Sequence, residues 1–200
     1  MSKETPAGKF EIEIKARLSD RAVFAAKLPT LGFRLKTPET FERNVLFDTP
    51  EGLLRSRREL LRIREYGGKW KLTHKADTDA ASPHKVRVET ELEISDGPAM
   101  AAILERLGYQ RVFVYEKRRT EWADDKGHIV LDATPIGDFV ELEGKHAWID
   151  ETAKKLGIQP SQYLTASYAR LFFDWRTANH HPANNMTFAE ASASRRDLSS

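Results

Sequence analysis

Charged and apolar residues alternate in short stretches along this chain, and two stretches of helical periodicity separate them. Glu11-Ile12-Glu13-Ile14-Lys15 sets two carboxylates and an ammonium at every second position, with isoleucines between. Successive side chains of a β-strand point to opposite faces, so the three charges share one face and the isoleucines line the other. The same period-two charge returns at Arg62 and Arg64, at Lys71, Thr73 and Lys75, and at Arg87, Glu89 and Glu91. It returns again at Lys117 and Arg119, and at Glu141 and Glu143. A strand of an ordinary sandwich turns its polar face to water. Six segments of this kind suit a closed β-barrel with a charged lumen and an apolar exterior, because closure brings every polar face inward together. The predicted fold class is α+β, an antiparallel barrel with flanking helices.

The helical stretches carry their own punctuation. Ser19 or Asp20 caps a helix predicted to run to about Leu31, where Gly32 stops it, and Ser95 or Asp96 caps another ending near Leu107-Gly108. The caps lie 76 positions apart (95 minus 19), as do Leu31-Gly32-Phe33 and Leu107-Gly108-Tyr109. At that offset Glu13 aligns with Glu89 and Arg43 with Arg119, so the chain reads as two related strand-helix-strands halves. Strands are predicted over 44–48 and 60–64. Asp48 caps the turn before Pro50, the basic run 55–58 is a solvated connection, and Gly67-Gly68 turns the chain into a hairpin with 70–75. The stretch 76–84 reads as a mobile loop. Amphipathic helices are predicted over 148–157 and 161–175, the second presenting Tyr163, Leu164, Tyr168, Leu171 and Phe172 on one side. That side either braces the barrel or supports a homodimer. The expected organisation is a flexible N-terminus (1–9), one barrel domain (10–176), and a tail (177–200) whose Asn, His, Ala and Ser composition predicts disorder.

Charge narrows the chemistry. The 32 basic and 30 acidic residues nearly cancel to +2, and charge is sorted within segments rather than between halves. That balance argues against a nucleic-acid or membrane partner held by electrostatic adhesion. With no cysteine, disulfides and thiolate metal sites are excluded. No apolar signal core opens the chain and no run reaches the roughly 18 apolar residues of a spanning helix, so a cytoplasmic protein is expected.

A lumen lined by both signs needs a reason. Desolvating so many ions costs several kcal/mol each, which mutual pairing often fails to repay. Converging Arg and Lys side chains match a polyphosphate, whose oxygens accept from forked guanidinium donors and point-charge ammoniums. Carboxylates in the same volume make sense when a hard divalent cation sits between them and the phosphate oxygens.

At this point a set of ordered motifs resembles the CYTH superfamily, the triphosphate tunnel metalloenzymes. The resemblance begins at Glu11-x-Glu13-x-Lys15 and continues through Arg43-Asn44-x-x-Phe47-Asp48-Thr49, Leu61-Arg62-Ile63-Arg64, Leu72-Thr73-His74-Lys75 and Arg87-x-Glu89-x-Glu91. It runs on through Lys117-x-Arg119, Leu131-Asp132, Gly137-Asp138-Phe139-Val140-Glu141-Leu142-Glu143-Gly144 and Ser167-Tyr168. The resemblance implies an eight-stranded antiparallel tunnel barrel that binds a triphosphate. Lys15, Arg62, Arg64, Lys75, Arg87, Lys117 and Arg119 would then hold the phosphates, with Glu89, favoured over Glu91 by the internal repeat, beside them. Glu11, Glu13, Asp132, Glu141 and Glu143 would bind Mg²⁺ or Mn²⁺, and Lys15, Glu13 and Glu141 would be the catalytic group. Alternation excludes Arg118, turns His74 outward, and leaves His128 at a turn beside Gly127. Two reactions fit such a cradle: cyclisation of ATP to cyclic AMP and pyrophosphate, as in the class IV adenylate cyclases, and hydrolysis of inorganic, thiamine or nucleoside triphosphate. A non-catalytic polyphosphate-binding module is a third reading.

Overall fold

The structure is a computed structural model that describes residues 8–78 and 83–193. Most of the flexible start expected over 1–9, the centre of the 76–84 loop and the last seven positions of the tail therefore lie outside the described residues. Strands β1 (Lys9–Leu18), β2 (Arg34–Asp48), β3 (Glu59–Tyr66), β4 (Lys69–Asp77), β5 (Lys85–Ile94), β6 (Gln110–Ala123), β7 (Gly127–Thr134) and β8 (Gly137–Gly144) close a barrel in the order β1-β5-β4-β3-β2-β6-β7-β8. Every pairing is antiparallel. Helices α1 (Arg21–Lys27), α2 (Leu53–Ser56), α3 (Gly97–Arg106), α4 (His146–Leu156), α5 (Tyr168–Ala178) and α6 (Phe188–Ala193) flank it among the described residues.

The internal repeat is visible in backbone geometry. Asp20 and Asp96 cap α1 and α3 from matching extended conformations, φ −146° and −143°, and each carboxylate accepts from the N–H three residues on, Val23 at 2.9 Å and Ala99 at 2.8 Å. Gly32 and Gly108 sit at φ 88° and 94°, a left-handed turn that a Cβ would disfavour. β1 and β5 start 76 residues apart (85 minus 9), and so do β2 and β6 (110 minus 34). The repeat slips inside β2, however. Arg43 pairs across from Glu116 and is exposed, whereas Arg119, its counterpart by offset, pairs across from Thr40 and points inward. Register irregularities at Thr37/Thr40 and Leu46/Phe47 absorb the difference. The expected match of Arg43 with Arg119 thus holds in sequence and fails in facing.

The apolar faces of the strands point outward, under the helices. Ile14, Ile129, Leu142 and Ile149 are fully buried where α1 and α4 cover β1, β7 and β8. Val45, Ile63, Ala101 and Leu104 form a second cluster beneath α3, and Phe113, Phe139, Leu171 and Phe172 a third beneath α5. Burying each of the larger of these side chains contributes about 1.5–3 kcal/mol. The core therefore lies between barrel and helices, which leaves the lumen free for charge.

Three expectations change. The helix predicted over 161–175 begins only at Tyr168, capped by Ser167, because the backbone at Leu164 is extended and donates to Lys15 O at 2.7 Å. Its apolar side packs on the barrel, which takes away that face as a dimer surface. Past Arg176, where composition predicted disorder, the described chain is ordered to position 193: α5 runs to Ala178, Met186 is fully buried, and α6 follows. The loop ends at 76–77 and 84 are also ordered, the first pair in β4 and His84 at 2.9 Å from Asp150.

Candidate active site

Alternation puts every charged face inside. The lumen holds a hollow of about 660 Å³ whose wall includes Glu11, Glu13, Lys15, Arg62, Arg64, Lys75, Arg87, Glu89, Lys117, Arg119, Glu141 and Glu143. Of the residues expected at the site, Asp132 alone is absent from this wall. It is fully buried behind it, where Arg119 Nε donates to Oδ1 at 2.8 Å, and Lys117 Nζ and the Tyr168 hydroxyl donate to Oδ2 at 3.0 and 2.7 Å. Arg118 points outward, over the Phe188 ring. His74 lies 3.4 Å from Glu59 and away from the hollow, while His128 reaches the hollow's rim, directly across from Glu143.

The charges form three groups. At the α5 side, Glu141 bridges Lys15 at 2.8 Å and Arg119 at 2.6 Å, so both its oxygens are engaged. Those two cations hold its carboxyl well below the ordinary range against the opposing effect of burial. At the β3–β4 side, Arg64 donates to Glu91 at 3.0 Å, and Arg62 reaches the Tyr115 hydroxyl at 3.2 Å and Thr73 at 3.3 Å. Lys75 spans Glu11 at 2.5 Å and Glu89 at 3.1 Å. At the β1–β5–β8 side, Glu13 faces Lys85 at 3.3 Å and Arg87 at 3.4 Å. Glu143, by contrast, has no ion pair or hydrogen bond among the described residues. Burial first, then the neighbouring Glu11 and Glu13 carboxylates, push its carboxyl up to about 7.

Two kinds of unfinished valence remain. The Nε–H groups of Arg62, Arg64 and Arg87 are buried without a hydrogen-bond acceptor, although all three side chains line the hollow. An unmet buried donor costs about 1–3 kcal/mol or more when charged, so the three guanidiniums are incompletely satisfied as they stand. The second is the carboxylate of Glu143, which stands without a partner among the described residues beside Glu11, engaged by Lys75, and Glu13, engaged by Lys85 and Arg87. Among the described residues no three acidic or histidine side chains close around one point as a finished metal cage. The donors nevertheless fit Mg²⁺ or Mn²⁺, which take carboxylate oxygens together with several waters, and the raised carboxyl of Glu143 marks where positive charge is lacking.

Several functional side chains went unread in the sequence. Lys85 continues the alternation of Arg87, Glu89 and Glu91 two residues upstream, a signal that was present. Burial, with Arg87 and Lys15 nearby, brings its ammonium down to about 8. Glu42 is fully buried among Lys117 at 3.3 Å, Arg119 at 3.7 Å and Arg64 at 3.9 Å, which hold its carboxyl down to about 2 against burial. The inward turn of Glu42 was hidden by the register slip in β2. Tyr168 looked like part of an apolar helix stripe, yet its ring carries the Lys15 and Lys117 ammoniums at 4.4 and 4.9 Å, a cation–π arrangement.

Comparison with known proteins agrees with this geometry. The CYTH domain model matches residues 9–170. Adenylate cyclase CyaB of Aeromonas hydrophila is 30% identical over 186 residues, covering 86% of this chain and 93% of that protein. Among solved structures, a Vibrio parahaemolyticus protein carrying a provisional adenylate cyclase name superposes with a TM-score of 0.73 at 19% identity, over 83% of this chain and 99% of its own. A Hippeastrum protein, named provisionally as an adenylyl cyclase and reported with a dominant triphosphatase activity, superposes with a TM-score of 0.61 at 22% identity, over 82% of this chain and 95% of its own. At those identities the two structures speak to the fold.

Proposed function

Because this chain belongs to the CYTH family, we propose that it is a divalent-cation-dependent phosphoryl-transfer enzyme whose tunnel holds a triphosphate, and that its reaction is the cyclisation of ATP to cyclic AMP and pyrophosphate. The observation that carries the reading is the convergence of three arginine side chains, Arg62, Arg64 and Arg87, and three lysines, Lys15, Lys75 and Lys117, on one hollow. A triphosphate supplies oxygens for all of them at once. Glu141 fixes Lys15 and Arg119 in place, so that the phosphate-facing cations are set before substrate arrives. Asp132 does the same for Lys117 and Arg119 from behind the wall. Glu11, Glu13 and Glu143 would hold Mg²⁺ or Mn²⁺, which supplies Lewis acidity and neutralises phosphoryl oxygens. In cyclisation the ribose 3′-hydroxyl gives its proton to solvent as its oxygen bonds to the α-phosphorus, the bond from that phosphorus to the α,β-bridging oxygen breaks, and charge gathers on the departing pyrophosphate. Arg62, Arg64, Arg87 and Lys75 stabilise that charge.

Hydrolysis of tripolyphosphate is a second reading with an observation of its own. The wall of the hollow is mainly charged or polar; beside Phe10, Leu46, Leu60 and Val130 its rings are Tyr115, stacked on Phe113, and Tyr168, whose face carries the Lys15 and Lys117 ammoniums, so little free platform is left for a nucleobase. Incubating the purified protein with ATP and with tripolyphosphate, each with Mg²⁺ or Mn²⁺, and identifying the products separates the two. Cyclic AMP with pyrophosphate supports cyclisation, and free phosphate from tripolyphosphate supports hydrolysis. Tight binding with neither product means a non-catalytic module and overturns the enzyme reading.

A further inference from the structure

Strand β6 is bordered by β2 along its whole length, from Arg34↔Ala123 to Asp48↔Gln110, but β7 pairs with it only from Arg118 to Ala123. The stretch 110–117 therefore has one sheet neighbour, and it carries two lumen side chains, Tyr115 and Lys117. The chain beyond α5 fills the open edge. Met186 N donates to Val114 O at 3.0 Å, Glu116 N donates to Met186 O at 2.9 Å, and Val114 N donates to Asn185 Oδ1 at 2.9 Å. The backbone is thus held on both sides of Tyr115, and Met186 forms a parallel bridge with it. Phe188 N adds a bond to Glu116 Oε2 at 3.1 Å. The segment is itself tied together by Glu190, whose carboxylate accepts from Asn184 N, Asn185 N and Asn185 Nδ2 at 2.8–2.9 Å. The Met186 side chain is fully buried in the cluster that contains Phe113, Tyr115, Tyr168 and Phe172. The residues that fill this edge, 184–190, lie past residue 170, where the match to the CYTH domain ends.

We infer that residues 179–193 are a clasp that positions the Tyr115 hydroxyl, and through it the Arg62 guanidinium, for phosphate binding. A strand bonded on one side only is free to shift and twist; bonded on both sides it fixes where its inward side chains point. Tyr115 is 5% exposed and its hydroxyl accepts from Arg62 Nη1 at 3.2 Å, so a displaced Tyr115 leaves a buried guanidinium aimed elsewhere. Tyr115 and the clasp are positioning elements that act through Arg62. The inference rests on the triphosphate reading of the tunnel.

Calorimetric titration of the full chain with tripolyphosphate in EDTA tests it without turnover. Met186→Pro deletes the N–H that reaches Val114 O, and Asn185→Ala removes the side-chain bonds to Val114 N and to Glu190 while leaving the Met186 backbone bonds in place. About tenfold weaker binding is expected for the first and about threefold for the second, the scale of one lost hydrogen bond to a charged group and of a weaker one. Tyr115→Phe should weaken binding comparably, and adding either clasp substitution to it should cost little more, since both act on one bond. A merely structural clasp would lower the melting temperature and leave affinity alone. Unchanged affinity in folded Asn185→Ala and Met186→Pro, or losses that multiply with Tyr115→Phe, overturns the inference while the tunnel reading stands. Absence of tripolyphosphate binding by the unaltered protein overturns both.

Discussion

Replacing Glu143 by Gln is expected to stabilise the metal-free protein at neutral pH, by an amount that grows with pH. Burial, and after it Glu11 and Glu13, raise the Glu143 carboxyl from its ordinary 4.5 to about 7 in the folded chain. In the unfolded chain it returns to the ordinary value. Below pH 4.5 both states hold the proton and Glu143 has no effect. Between pH 4.5 and 7 the folded state keeps a proton that the unfolded state has released, so stability falls as pH rises, and above pH 7 the full cost is present. A shift of that size corresponds to about 3 kcal/mol at 1.36 kcal/mol per unit. The side chain keeps some contact with water, which screens the effect toward about 1–2 kcal/mol. Glutamine keeps the shape and cannot ionise. Urea unfolding in EDTA should therefore show the variant and the parent level at pH 4 and the variant about 1–2 kcal/mol more stable at pH 8. A variant that is less stable at pH 8, or whose difference does not change with pH, refutes the placement of an unpaired Glu143 beside Glu11 and Glu13.

Asp132→Asn should act in the opposite direction, because it strips a fully buried acceptor from Lys117, Arg119 and Tyr168. A loss of about 3–5 kcal/mol in urea unfolding is expected for a broken buried ion pair, and a loss under about 1 kcal/mol would show that Asp132 is not the anchor described. Glu13→Gln is expected to abolish turnover in the product assay while circular dichroism and cooperative melting persist; undiminished metal-dependent activity would remove Glu13 from the site.

The barrel was legible in the sequence because alternation is a local signal. Glu11, Glu13 and Lys15 need only the pleat of one strand to share a face, and the matched caps of Asp20 and Asp96 need only their own first turns. What remained hidden depends on neighbours. Glu42 turns inward because of register irregularities in β2 that no residue of β2 announces, and Asp132 differs from Glu143 only through what stands next to each. The five acidic positions looked equivalent as a list; in the fold Asp132 and Glu141 are consumed by Lys15, Lys117 and Arg119, while Glu143 is not. The order of residues 177–193 was missed for a related reason. A segment poor in apolar residues needs few of them when one Met fills a cavity and the backbone borrows an open strand edge.

The repeat also accounts for how the two signs of charge are shared between the walls of the lumen. Hairpin β3–β4 and hairpin β7–β8 correspond at an offset of 68 residues, since β3 and β7 start at 59 and 127 and β4 and β8 at 69 and 137. At that offset Arg64 corresponds to Asp132, Thr73 to Glu141 and Lys75 to Glu143. The strand order sets these two hairpins on opposite sides of the barrel, so equivalent positions of the two halves supply a basic wall and an acidic wall facing each other. Identical halves would give a lumen with the same charge at both walls, which would repel either a polyanion or a cation throughout. Divergence of sign between the halves makes a polarised tunnel, in which, on the triphosphate reading proposed above, the phosphate chain would lie against Arg62, Arg64 and Lys75 and a cation beside Glu143. Reversing that polarity at one matched pair, Lys75→Glu with Glu143→Lys, therefore preserves net charge and composition yet places each charge on the wrong wall. Tripolyphosphate affinity should fall at least tenfold in the doubly exchanged protein, and retention of the parent affinity would mean that total charge, not its distribution between the walls, governs binding.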